Sequence, residues 1–256
     1  MPDLPHEFLR IPLAHRGLHD RTNGVVENSL SAFRAAIDAG YGIELDLQMS
    51  SDAGVMVFHD YHLGRLTHAT GPVAARTAAE LQQIKLRDTT DRIPHLSDVL
   101  DLVAGRVPLL IEIKDQDGAL GPNTGQIEAG LANLLHAYDG LVAIMSFNPH
   151  SIAKIRTMLP DTPRGLTTCA FLKQDWGLVP AMRRKELANI PDFFPLDCAF
   201  ISHDRSDLNA PAVQTLRNSK IPILTWTIRS PSDEASAREI ADNITFENYL
   251  PTIPQD

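Results

Sequence analysis

The sequence predicts an α/β chain folded as a (β/α)8 TIM-like barrel with an insertion after its second strand. Short apolar runs alternate with helical patterns, which argues for a parallel sheet with helical crossovers. About eight such units fit the 256 residues, the size of one barrel domain, so 1–256 reads as a single domain. No G-x-G-x-x-G or G-x-x-x-x-G-K-[ST] occurs, which weakens the rival, a doubly wound open sheet.

The first strand is RIPLAH, residues 10–15. The stretch NSLSAFRAAIDAG then places Leu30, Phe33 and Ile37 on one helical face, with Asn28 or Ser29 as N-cap and Gly40 as the stop. GIELDL, from Gly42, is the second strand. A long excursion follows, carrying VMVFHD, the Gly71–Pro72 pair, a helical piece near 77–84 and another near 97–104. Its 60–95 part reads as an insertion near the barrel mouth. VPLLIEIK (107–114) is the third strand, a helix covers about 124–137, and LVAIMSF (141–147) is the fourth. HSIAKIRTML reads as a helix, PRGLTTC as the fifth strand and CAFISH as the sixth. PAVQTLRNS is a helix, IPILTWTI (221–228) the seventh strand, and PSDEASAREIA a helix opened by Pro231. NITFENYL holds the eighth strand, with little chain left for a final helix.

A formal charge of −9 argues against nucleic acid or an anionic membrane surface as the main partner. It does not exclude a small anion, because screening hides charges beyond about 8 Å. The two cysteines, Cys169 and Cys198, form no CxxC pair. They read as buried thiols of a reducing compartment. Pro2, Pro5, Pro12, Asp3 and Glu7 leave no signal-peptide pattern at the start. No apolar run approaches the roughly 20 residues needed to span a bilayer. A cytoplasmic protein with no stable membrane insertion is the expectation.

The second strand carries the chemistry. Ile43, Leu45 and Leu47 alternate with Glu44 and Asp46. In a barrel one set packs under helices and the other faces the axis, near the C-terminal strand ends where barrel enzymes hold their sites. Leu110, Glu112 and Lys114 share the corresponding face of the third strand. Three converging carboxylates do not all stay ionised without a cation. Glu44, Asp46 and Glu112 therefore suit a hard divalent ion, Mg²⁺ or Ca²⁺. The alternative is a salt-bridge cluster with Arg16 and Lys114. His15 and His59 are candidates for proton transfer, and His203 also stands at a strand end. Arg16 and Lys114 can contact phosphate or simply neutralise the acids. Trp226 is either a core aromatic or a substrate platform.

Taken together, HRG at 15–17, ENS at 27–29, AFRAAIDAG, ELD at 44–46, HD at 59–60 and IEIK at 111–114 resemble the glycerophosphodiester phosphodiesterase family. SFNPHSIAKIRTMLPDTPRG and LTWTI are similar to its later barrel units. The resemblance implies metal-dependent hydrolysis of small-molecule glycerophosphodiesters to glycerol 3-phosphate and an alcohol. It implies Glu44, Asp46 and Glu112 as ligands of one divalent metal, His15 and His59 as acid and base, and Arg16 and Lys114 as phosphate contacts. Val26 departs from the usual proline before the Glu-Asn pair. Glu247 and Asn248 stand where the family usually has Thr-Asp. The same site could cleave a related sugar-phosphate or lipid-headgroup diester. A non-catalytic phosphate- or metal-binding module is the rival of another class.

Overall fold

A computed structural model describes residues 2–254. The strands are β1 (Leu13–Ala14), β2 (Gly42–Met49), β3 (Val55–Val57), β4 (Leu109–Ile113), β5 (Val142–Ser146), β6 (Arg164–Thr168), β7 (Phe200–Asp204), β8 (Ile223–Ile228) and β9 (Asn243–Phe246). The helices are α1 (Glu7–Arg10), α2 (Leu30–Ala39), α3 (Ala78–Leu81), α4 (Leu96–Val103), α5 (Gln126–Leu135), α6 (Pro149–Met158), α7 (Ala181–Ala188), α8 (Pro211–Asn218) and α9 (Pro231–Ala237). Eight parallel strands run in the order β1-β2-β4-β5-β6-β7-β8-β9, and β9 pairs with β1 to close the barrel. The (β/α)8 expectation holds.

Four elements depart from the sequence reading. The first strand shrinks to two residues, since Pro12 has no N–H to donate to a ladder. The preceding segment instead forms α1. VMV forms β3, an antiparallel partner of the C-terminal half of β2. α7 has only Leu187 buried, too thin a stripe for a helical period to show. Among the described residues no helix follows β9.

Apolar side chains pack on both faces of the barrel strands. Ile43, Leu45 and Leu47 join Phe33 of α2 and Val99 of α4 in the main apolar cluster outside the strands. Leu13, Leu110, Ala143, Phe200 and Leu224 form a second cluster with Phe8 of α1. This second cluster plugs the N-terminal end of the barrel. Asn243 Nδ2 fastens the plug, donating to the carbonyls of Phe8 and Ile11 at 2.8 and 2.7 Å. Gly165 makes room for it, because a Cβ there would stand 2.6 Å from the Phe200 ring. With this end sealed by apolar groups, the cavity opens at the other end of the strands.

The excursion after β2 carries its own apolar cluster. Met56 and Phe58 pack with Leu63, Leu66, Val73, Leu81 and Ile93. Thr77 and Glu80 close a reciprocal capping box on α3. Burying these apolar groups together fixes the segment against β2 and β3 and leaves its polar residues 60–65 at the cavity described next.

Candidate active site

A cavity of about 630 Å³ opens at the C-terminal strand ends and is lined by eight of the residues singled out from the sequence. These are His15, Arg16, Glu44, Asp46, His59, Glu112, Lys114 and Trp226. Glu44, Asp46 and Glu112 are buried, and each offers an oxygen within 4.8 Å of the others. Their convergence follows from register: Glu44 lies beside Leu110 and Asp46 beside Glu112. Parallel pairing therefore puts the three carboxyls on one inward face.

The HRG and ENS segments are built as one unit. Arg16 has φ 58° and Gly17 has φ 81°. This left-handed turn brings the Arg16 N–H to Glu44 Oε2 at 3.0 Å. A Cβ on Gly17 would meet Ala32 and Phe33 at 2.9 Å, so the turn requires glycine. Asn28 N donates to the Arg16 carbonyl at 2.8 Å, and Asn28 Nδ2 donates to Asp46 Oδ2 at 2.9 Å. Ser29, not Asn28, is the N-cap of α2, accepting from Ala32 N. Asn28 is thereby free to orient a site carboxylate.

Charges alternate along a chain of contacts. Lys114 Nζ lies 2.5 Å from Glu112 and 2.8 Å from Asp46. Arg16 reaches Asp46 at 3.2 Å and Glu27 at 2.6 Å. The Arg16 Nε contact with Asp46 is an ion pair without hydrogen-bond alignment. Arg65 links Glu27 to Asp60, at 2.7 and 2.6 Å. Asp60 Oδ1 sits 2.7 Å from His59 Nδ1. On the opposite side, His15 Nδ1 lies 2.7 Å from Glu247 Oε2, and Arg229 Nε donates to Glu247 Oε1 at 2.7 Å. Each histidine thus has a carboxylate on Nδ1, which orients the ring and commits Nε2 to the other side.

Electrostatics separates the three carboxyls. Burial, with Asp46 and Glu112 as like-charged neighbours, pushes Glu44 well above the usual carboxylate range. Burial also acts on Asp46, but Lys114, His59 and Arg16 outweigh it and hold that carboxyl well below the range. The salt-bridge alternative is thus present in the structure, yet Arg16 and Lys114 do not compensate Glu44. Three buried carboxyls, one of them under-compensated, could hold a hard divalent cation. Burial lowers His15 to about 4, against the opposing hydrogen bond of Glu247. Arg65 and Arg16 draw Glu27 down to about 2 against its burial.

The other half of the cavity is aromatic. Trp226 donates Nε1–H to the Ser202 carbonyl at 3.0 Å and meets Phe147 edge-on at 5.7 Å. His203 turns away from the barrel axis. It is buried, and its Nδ1 lies 2.7 Å from Thr168 Oγ1. It belongs to the packing and not to the cavity.

Glu27, Asn28, Asp60, Arg65 and Glu247 received no role in the site from the sequence. Four had a signal: Glu27, Asn28 and Asp60 stand inside recognisable motifs, and Glu247 follows the last strand directly. Arg65 had none, because its partners are brought in only by the fold of the excursion.

Comparison with known proteins agrees with this architecture. The model of the glycerophosphoryl diester phosphodiesterase family matches residues 15–244. A glycerophosphodiester phosphodiesterase of Caldanaerobacter subterraneus subsp. tengcongensis is 28% identical over 231 residues, covering 86% of each chain. One from Bacillus subtilis is 24% identical over 262 residues, covering 93% of this chain and 83% of that protein. Among solved structures, an Oleispira antarctica phosphodiesterase in complex with sn-glycerol-3-phosphate superposes with a TM-score of 0.76. It shows 22% identity and 95% coverage of both chains. A glycerophosphodiester phosphodiesterase from Thermotoga maritima gives a TM-score of 0.68 at 21% identity, over 92% of this chain and 94% of that one. From its matched length and its closed parallel barrel, the chain belongs to the glycerophosphoryl diester phosphodiesterase family and is a phosphoric diester hydrolase.

Proposed function

We propose that the protein hydrolyses glycerophosphodiesters to glycerol 3-phosphate and an alcohol, with His15 and His59 as the proton-transfer pair. The observation that carries this reading is the pair of carboxylate-backed histidines on one cavity with three converging acids. Glu44, Asp46 and Glu112 would hold one divalent cation, and their oxygen donors suit Mg²⁺ or Ca²⁺. Such an ion, when bound, supplies Lewis acidity and positive charge to the phosphodiester.

The residues act as follows in this reading. Arg16 and Lys114 hold the phosphate oxygens and offset charge growing on them. Trp226 packs on the substrate. His15, whose pKa is lowered to about 4, is neutral at neutral pH. Glu247 keeps the Nδ1–H, so Nε2 takes the proton of the glycerol hydroxyl beside the phosphate. His59, oriented by Asp60, gives a proton to the alcohol as its bond to phosphorus breaks. Water then opens the resulting cyclic phosphate with the two roles reversed.

The barrel and its 60–95 insertion act as one domain in this reading, with Tyr61, His62 and Arg65 at the mouth. Among the described residues no helix is long and apolar enough to cross a membrane. Two buried free thiols support a cytoplasmic location.

The test is glycerol 3-phosphate release from a panel of glycerophosphodiesters, with and without Mg²⁺ or Ca²⁺. Cation-dependent release is expected. No product from any member, with substrate-induced thermal stabilisation intact, would establish a binding module instead.

A further inference from the structure

A second histidine faces the carboxylate that backs His15. His19 Nε2 stands 3.6 Å from Glu247 Oε2, the same oxygen that lies 2.7 Å from His15 Nδ1. His19 is not among the residues that line the cavity. Its side chain is 13% exposed, enough for a proton to reach it from solvent.

Backbone contacts hold these groups in place. His15 N donates to the Phe246 carbonyl and Glu247 N to the Ile228 carbonyl, each at 2.9 Å. His19 N donates to the Gly17 carbonyl at 2.9 Å, and Leu18 N to the Ala32 carbonyl at 3.0 Å, which pins the turn to α2. The charged groups around His19 have defined places. Arg229, after β8, donates to Glu247 Oε1 at 2.7 Å and leaves Oε2 to the two histidines. The helix α2 presents uncharged Ala32 and Phe33 to the turn. Asp20 and Arg21, next along the chain, are exposed, and Asp20 is committed to Thr22 and Asn23. Among the described residues, Glu247 is the acid within ion-pair reach of His19.

The two contacts on Oε2 differ in kind. At 3.6 Å a neutral His19 makes no hydrogen bond to Glu247. A protonated His19 is an ion pair with it. Burial is the main influence on His15 and disfavours its proton, and the hydrogen bond of Glu247 opposes that. A proton on His19 puts a positive charge beside the oxygen that supports His15. Like charges disfavour one another, so His15 becomes a weaker base when His19 is charged. The arrangement is this chain's own, because Glu247 stands where the family usually has threonine.

We propose that His19 is a positioning residue that acts on His15 through their shared carboxylate, Glu247, and that turnover falls when His19 takes up a proton from solvent. The inference rests on the acid–base reading of His15. His19 touches neither the substrate nor the cation. It sets how strongly Glu247 supports the ring that does.

Two measurements test it, with two variants. His19→Gln cannot take up a proton, and His19→Arg carries a permanent charge. The first measurement follows kcat/KM for glycerophosphocholine at saturating Mg²⁺ or Ca²⁺ from about pH 8 to about pH 5, where an ordinary imidazole changes charge. Between the acid and alkaline ends of that range, His19→Gln should keep about threefold or more of the activity that the unaltered protein loses. His19→Arg should fall about threefold or more below the unaltered protein at the alkaline end. Cleavage with one and the same pH profile in all three proteins overturns the inference and leaves the phosphodiesterase reading standing.

The second measurement does not depend on turnover. The ring nitrogen resonances of His15 in isotope-labelled protein should move across the same pH range, and should move less in His19→Gln. Movement of equal size in both proteins overturns the inference even if no substrate is cleaved.

Discussion

Glu247 Oε2 lies 2.7 Å from His15 Nδ1, and among the described residues it is the acid paired with that ring nitrogen. Glu247 is itself anchored by Arg229 at 2.7 Å. His15 and Arg229 are among the groups that hold its carboxyl far below the usual range, against the effect of burial. The carboxylate therefore accepts the Nδ1–H at any working pH and fixes the tautomer. Glu247→Gln should lower kcat about 10- to 100-fold with little change in KM. Glu247→Asp, one methylene shorter, should restore part of it. Steady-state kinetics decides this, and an unchanged kcat in Glu247→Gln would remove Glu247 from the mechanism.

His15→Ala and His59→Ala should each reduce turnover by about 10² or more. Neither side chain is among the three converging carboxylates, so the cation should still bind. The check pairs kcat with the thermal shift produced by Mg²⁺ or Ca²⁺. Near-normal turnover in both variants would end the acid–base assignment.

The alternation in GIELDL was legible because period two in a barrel strand has one meaning: apolar residues under helices, acids toward the axis. The same logic located Glu112 and Lys114, and the strand ends located His15 and Arg16. The network behind them was not legible. Arg65 meets Glu27 across 38 residues and Glu247 meets His15 across 232, and no local pattern encodes such distances. Glu247 even stood out only as a departure from the family pattern, although it provides the carboxylate that its site needs. The aromatic wall escaped for a related reason. Trp176 lies in an irregular segment whose apolar residues follow no period, so only the fold shows it beside Phe147 and Trp226.

Cation binding should depend on pH in a definite direction. Burial and two acidic neighbours raise Glu44, and a carboxyl must be ionised to act as a ligand. A proton and the cation then compete for Glu44, so affinity should rise with pH and binding should release a proton. Calorimetry in two buffers of different ionisation enthalpy measures that proton. Glu44→Gln should abolish the release and weaken binding. Release undiminished in the variant would assign the proton to another group.

Glu27 ties the excursion to the barrel through Arg65 and Arg16, and its carboxyl falls to about 2 from an ordinary 4.5. The folded state therefore holds fewer protons on this group than the unfolded chain between those values. Its contribution to stability is complete above about pH 4.5 and disappears as pH falls through about 2. The shift corresponds to at most about 3 kcal/mol. Glu27→Gln should lose about 2–3 kcal/mol at neutral pH, a gap that narrows as the solution is acidified. Urea unfolding from pH 7 down to pH 4, and on toward lower pH while the protein stays folded, measures the gap. A gap that stayed constant down to the lowest accessible pH would show that shape, and not charge, fixes Glu27 between its two arginines.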